Sequence, residues 1–318
     1  MKVFAIVGLA LSGASLSLLA GDKHDATHVS VGRERDPAKG LNFYSIEKEI
    51  ALGRQMAEGV EKQSKLVRDP VVVGYVNRVV QNLVRNSDAK VPFSIQVIDS
   101  SEVNAFALPG GFMFVNTGLI TQVEGEAELA GVLAHEIAHV AARHATKQAT
   151  RGTILNYATV PLVFMGGWGI VIQGAINLAG PVGFLHFSRA MEGEADRLGL
   201  QYMYRAGYDP NAFTDFFERI ESLEKRKPGT ISKVFATHPP TRARVRRAQQ
   251  VIQNELKPLS QYVLDTSEFH GVQERIVSVS PGHPGRELRL RRLNHDGVDN
   301  GKPPDPQDGE GPTLKRRN

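Results

Sequence analysis

The spacing of apolar and polar positions divides the chain into helical stretches, one strand-forming stretch and two ends of different character. Residues 3–20, VFAIVGLALSGASLSLLA, follow a lone Lys2 and carry no charge, which is the pattern of a secretory signal. Ala20 suits cleavage, but Leu18 at the −3 position is larger than such a site prefers, so an uncleaved anchor is the rival reading. Residues 21–43 are polar, with glycine and proline, and read as a flexible leader. Ser45 can cap a helix running to about Lys65, with Glu47 in the first turn, where the helix dipole favours negative charge. Asp69-Pro70 starts a second helix, on which Val72, Tyr75, Val76, Val79, Val80 and Leu83 recur at helical spacing.

The period then changes. PFSIQVIDS, 92–100, alternates like a strand, and Asn104–Leu108 and Phe112–Asn116 look like two short strands joined by Pro109-Gly110-Gly111. Glu124, Glu126 and Glu128 lead into a long helix reaching about Gln148, small or apolar through its middle. Residues 152–188 contain no Asp, Glu, Lys or Arg, long enough by count to cross a bilayer. Pro161, Gly166, Gly167, Gly169 and Pro181 interrupt that run, so it reads as an apolar flap over the active cleft, with a membrane span as the rival. A further helix covers about 188–210, and 266–318, rich in Pro, Gly and charge, reads as a largely disordered tail. The elements add up to an α+β fold, mainly helical, with one domain over 44–265 and a small sheet or hairpin beside the long helix.

Composition narrows the functions. At 318 residues and 41% hydrophobic, the chain can bury a sizeable core. The net charge is only +4, and much of the basic excess lies in the tail at Arg286, Arg289, Arg291, Arg292, Lys315, Arg316 and Arg317, so no nucleic-acid partner is expected. The absence of cysteine excludes disulfides, thiolate ligands, a thiol nucleophile and a lipoprotein anchor.

Within the long helix, HEIAHVAARH spans 135–144. At about 3.6 residues per turn His135 and His139 lie on one face and can grip one metal ion. Glu136 sits one step round, where a carboxylate can take a proton from water held at that ion, and HExxH on a helix is the zinc-protease signature. Two histidines on a surface helix by accident is the rival reading, but the apolar flanks imply burial, and buried histidines need partners. His144 would lie about 180° round from His135 on a continuous helix, out of reach of the same ion, and reads as a surface group or one that supports a ligand without binding the ion itself.

A catalytic zinc needs a third protein ligand. In SRAMEGEADRLG, Glu192 and Asp196 are four apart and share a face, whereas Glu194 points elsewhere. That arrangement suggests Glu192 as the ligand and Asp196 as the acceptor for the Nδ1–H of a ligating histidine, His135. A solvated acidic face is the alternative. The sheet ahead of the motif offers an edge strand, Asn104, Ala105, Phe106 and Ala107, that could pair with an extended peptide, or it simply covers the core.

HEIAHVAARH and FSRAMEGEADRLG, with NAFALPGG upstream and THPPTRARV downstream, resemble metallopeptidase family 48, the group that includes the CAAX prenyl-protein endopeptidase; the likeness is greatest to its soluble bacterial, BepA-like branch and covers about 44–255. The resemblance implies a zincin-type domain with one zinc on His135, His139 and Glu192 and with Glu136 as base. In that branch the histidine matching His238 can act as a fourth ligand that closes the site until displaced, which carried over implies a latent enzyme. From the residues alone, His238 could equally stabilise an oxyanion or end a loop before the helix at Arg242. The membrane helices of the prenyl-protein endopeptidase and the tetratricopeptide repeats of the BepA type are both missing from the pattern. The expectation is an extracytoplasmic, periplasmic zinc endopeptidase acting on unfolded or misassembled envelope polypeptides, in contact with membrane or outer-membrane assembly machinery. The alternative is a chaperone or assembly factor with a closed structural zinc.

Overall fold

The computed structural model describes residues 36–163, 187–226, 238 and 241–279. Helix α1, Ile46–Gln63, begins where Ser45 accepts a hydrogen bond from the Lys48 amide. Helix α2, Pro70–Arg85, begins where the Asp69 carboxylate accepts from the amides of Val71 and Val72, and it buries the six positions that the spacing singles out. Three strands follow: β1, Ser94–Ile98; β2, Ala105–Leu108; and β3, Phe112–Asn116. Their order is β1-β3-β2, with β1 parallel and β2 antiparallel to β3. The Pro109–Gly111 turn links β2 to β3.

The sheet is covered on both faces, and period-2 alternation sorts its side chains between them. Ala105, Ala107, Met113 and Val115 join the main core; Phe106, Leu108 and Phe114 pack with Ala57 and Val60 of α1. After the short helix α3, Thr117–Gln122, comes α4, Glu126–Ala141, which carries the HExxH motif and is buried nearly all round. Helix α5 is His144–Val163, α6 is Arg189–Arg205, α7 is Asn211–Arg226, α8 is Arg242–Glu255 and α9 is Ser267–Val279. Helices α4 and α6 cross closely because Gly199 has no side chain at the contact. A Cβ there would lie 3.1 Å from the His135 amide nitrogen.

Three expectations change. The long helix ends at Ala141 rather than near Gln148, because Arg143 turns the chain through a left-handed conformation (φ 56) before α5 starts. Residues 36–43 of the leader are tied down: Asn42 and Phe43 donate to Thr146 and Thr150, and Lys147 donates to the Pro37 carbonyl. At the other end the domain passes 265, since α9 buries Phe269, Val272 and Ile276. The stretch expected to be a signal, residues 164–186 of the apolar run and the residues beyond 279 lie outside the described residues. Among the described residues no helix is long and apolar enough to cross a membrane.

Candidate metal centre

Four buried side chains converge where α4, α6 and the residues before α8 meet: His135, His139, Glu192 and His238, with one potential ligand atom of each lying within 4.8 Å of the others. Consecutive turns of α4 aim both Nε2 atoms at one point, 3.1 Å apart. Ser188 caps α6 by accepting from the Met191 amide, which sets Glu192 in the first turn. The Glu192 carboxylate lies 3.5 Å from His135 Nε2 and 3.6 Å from His139 Nε2. His238 Nδ1 is 2.8 Å from Glu192 Oε1, and its Nε2 is 3.7 Å from Glu136 Oε1. The Phe187 ring stacks on His139 at 4.2 Å.

Asp196, one turn beyond Glu192, places Oδ1 3.1 Å from His135 Nδ1, although the ring nitrogen is off the line of a good hydrogen bond. Arg244 binds Asp196 in bidentate fashion at 2.8 and 2.7 Å, donates to the His238 carbonyl at 3.1 Å and approaches Glu192 Oε2 at 3.0 Å. Thr241 caps α8 and so fixes the turn of helix from which Arg244 reaches in.

Burial opposes charge on all of these groups, and the contacts decide which charges survive. Burial would lower the His135 pKa, but the side chains of Asp196 and Glu192 outweigh it and push it up to about 9. At His139 burial wins: reinforced by repulsion from His135 and His238, it holds the pKa well below the ordinary value. Burial would raise Glu192, yet its contacts with His135 and His238 keep it far below the usual carboxylate range. Asp196 is likewise held down, by Arg244 and His135 against burial.

The donor set fits a divalent ion of the zinc type: two imidazole nitrogens facing one another, an ionised carboxylate, and a Glu192 Oε2 that is buried without a hydrogen bond. Glu136 lies between His238 and β2: its Oε1 is 3.7 Å from His238 Nε2, and its Oε2 accepts from the Ala107 amide at 3.2 Å.

Strand β2 lies at the sheet edge among the described residues. The Asn116 amide donates to the Asn104 carbonyl, so by alternation the backbone groups of Ala105 and Ala107 face away from β3. Asn104, Ala105, Val103, Leu119, Val132 and Phe217 line a narrow cleft that opens on His135, Glu136 and His238. The Phe106 side chain packs toward α1 instead.

The partners in two contacts cannot be read from the sequence. Arg244 sits in the quoted THPPTRARV stretch, six residues past His238, and nothing in that stretch signals a partner on α6. His144 is 1% exposed with Nδ1 3.0 Å from His139 Nδ1, which only the chain reversal at Arg143 permits. Burial, the largest effect, holds the His144 pKa below its ordinary value.

The family model described as "Peptidase family M48" matches residues 70–252. The chain is 30% identical over 227 residues to the beta-barrel assembly-enhancing protease of Yersinia pestis, covering 67% of this chain and 46% of that protein. It is 29% identical over 248 residues to the protein of the same name in Escherichia coli (strain K12), covering 74% and 49% respectively. It is also 34% identical over 216 residues to mitochondrial metalloendopeptidase OMA1 of Schizosaccharomyces pombe, covering 66% of this chain and 60% of the relative. The chain thus spans about half the length of the beta-barrel assembly-enhancing proteases it matches.

Proposed function

From the premise that the chain belongs to peptidase family M48, we propose that it is a zinc metalloendopeptidase that cuts unfolded or misassembled envelope proteins. The observation that carries this reading is the buried cluster of His135, His139 and Glu192 with Glu136 beside it. These three side chains would hold the ion, which when bound would polarise a scissile carbonyl and lower the pKa of water from about 15.7 toward about 7.

Glu136 acts as the general base: it takes a proton from the attacking water and returns it to the leaving amine. Its contact with the Ala107 amide supports this role, because the carboxylate borders the strand against which a peptide would lie. The outward amide and carbonyl of Ala105 and the carbonyl of Ala107 pair with the substrate main chain, while the apolar cleft receives a side chain. Asp196 orients His135 through Nδ1, and Arg244 balances the charge of the two carboxylates on α6.

Envelope substrates and an extracytoplasmic, periplasmic location are supported by the signal-like residues 3–20 and by relatives whose printed names refer to β-barrel assembly. In Glu136→Gln, cleavage of an unfolded polypeptide should fall by about 10²–10⁴-fold with one zinc per chain retained. Undiminished cleavage removes Glu136 from the chemistry.

The position of His238 among the ligand atoms favours a resting state in which that imidazole occupies the open position. His238→Ala should therefore cleave faster than wild type. If neither protein cleaves while both bind zinc, the second reading follows, an assembly factor or chaperone with a structural zinc.

A further inference from the structure

We propose that His144 and Glu194 form a two-link relay that fixes the ring of His139, so that the two histidine ligands are held by unequal partners. The inference rests on the zinc reading above.

On a continuous helix, five residues place two side chains well apart in angle. The left-handed Arg143 breaks that geometry and folds His144 back onto the ligand. The break is itself built: Arg143 donates through Nε to the buried Glu49 carboxylate and through Nη2 to the Tyr44 carbonyl, both at 2.7 Å. Thr146, on the first turn of α5, donates to the same Glu49 oxygen at 3.1 Å.

The hydrogen-bond roles then follow by elimination. His139 Nε2 faces His135 and Glu192, the side on which an ion would sit, so its proton belongs on Nδ1. Among the described residues the group that meets that Nδ1–H is His144 Nδ1, 3.0 Å away, which can accept only if the His144 proton is on Nε2. His144 Nε2 in turn lies 3.2 Å from Glu194 Oε2, a carboxylate that accepts. One tautomer of each ring satisfies every nitrogen.

His135 differs, because its Nδ1 faces a carboxylate directly, at Asp196. At His139 the carboxylate acts through a neutral ring, and it belongs to a half-exposed residue. A histidine that only filled space would need no such alignment of three groups.

The test compares His144→Phe, which keeps an aromatic ring without nitrogens, with His144→Gln, whose carbonyl can accept from His139 and whose amide can donate to Glu194. Zinc dissociation constants are measured by chelator competition, beside the melting temperature of each zinc-free protein. The expected result is affinity about 10–100-fold weaker for His144→Phe, near wild type for His144→Gln, and similar zinc-free melting. Glu194→Ala, at a half-exposed position that should tolerate the change, is expected to weaken zinc binding to an intermediate extent. In ¹⁵N-histidine spectra of the zinc-loaded protein, His139 should carry its proton on Nδ1 and His144 on Nε2.

Equal affinity in His144→Phe and wild type overturns the relay, as does a His144→Gln variant as weak as His144→Phe. If His144→Phe does not fold, Glu194→Ala with wild-type affinity overturns it. Wild type that takes up no zinc overturns the zinc reading and this inference with it, whereas the other outcomes leave the zinc reading standing.

Discussion

Arg244 shows how much a single side chain can govern at the centre. It faces Asp196 and Glu192 in a space that burial makes hostile to unpaired charge. Arg244→Ala would strip two buried carboxylates of their guanidinium and leave them facing His135, which by analogy with broken buried pairs costs about 3–5 kcal/mol. Denaturant titration of the zinc-free protein should show that loss, and Arg244→Lys should recover only part of it, because an ammonium cannot reproduce the bidentate contact. A loss under about 1 kcal/mol in Arg244→Ala would mean that the carboxylates are solvated or protonated. His135, Glu136, His139, Glu192 and Asp196 could be named from sequence because each pair lies within one helical turn, and helical period is a local property. Arg244 could not, because it acts across 48 residues, and for His144 the partner could not, because its contact with His139 depends on a backbone reversal at a residue type that seldom adopts positive φ.

At the scale of elements, β2 is held in place from behind by α1. Gly53 lies against the turn between β2 and β3, and a Cβ there would come within 1.7 Å of the Pro109 carbonyl oxygen. Gly→Ala in a helix ordinarily stabilises by roughly 0.5–1 kcal/mol through the unfolded chain. Here the clash is with backbone and should win, so Gly53→Ala should lower stability by about 1–3 kcal/mol. It should also displace the strand whose Ala107 amide meets Glu136. Thermal melting checks the first effect, and an unchanged melting temperature would place α1 differently. The caps of α1 and α2 and the strand–turn–strand unit were legible because Ser45, Asp69-Pro70 and Pro109-Gly110-Gly111 act on their own neighbours. The end of α4 was not, since HEIAHVAARH continues a helical pattern straight through Arg143, and the reversal depends on Glu49 and the Tyr44 carbonyl, about 95–100 residues earlier in the chain.

For the whole molecule, helix α9 lies far from the metal cluster in sequence but inside the same core. Phe269 and Ile276 are fully buried, and Gln273 donates to the carbonyls of Ile120 and Val123 at the end of α3. A chain ending at 266 should therefore melt well below one ending at 279, and Phe269→Ala alone should cost about 3–5 kcal/mol. Equal stability of the two truncations would return the domain boundary to 265. The polar, charged composition after Leu264 hides this helix, whose three buried apolar positions at 269, 272 and 276 are too few to stand out. The most direct test of the account is anomalous diffraction at the zinc absorption edge from crystals of the zinc-loaded protein. One ion should appear about 2.0–2.2 Å from Nε2 of His135, Nε2 of His139 and a carboxylate oxygen of Glu192. An ion bound elsewhere, or bound with Glu192 turned away from it, would contradict the assignment.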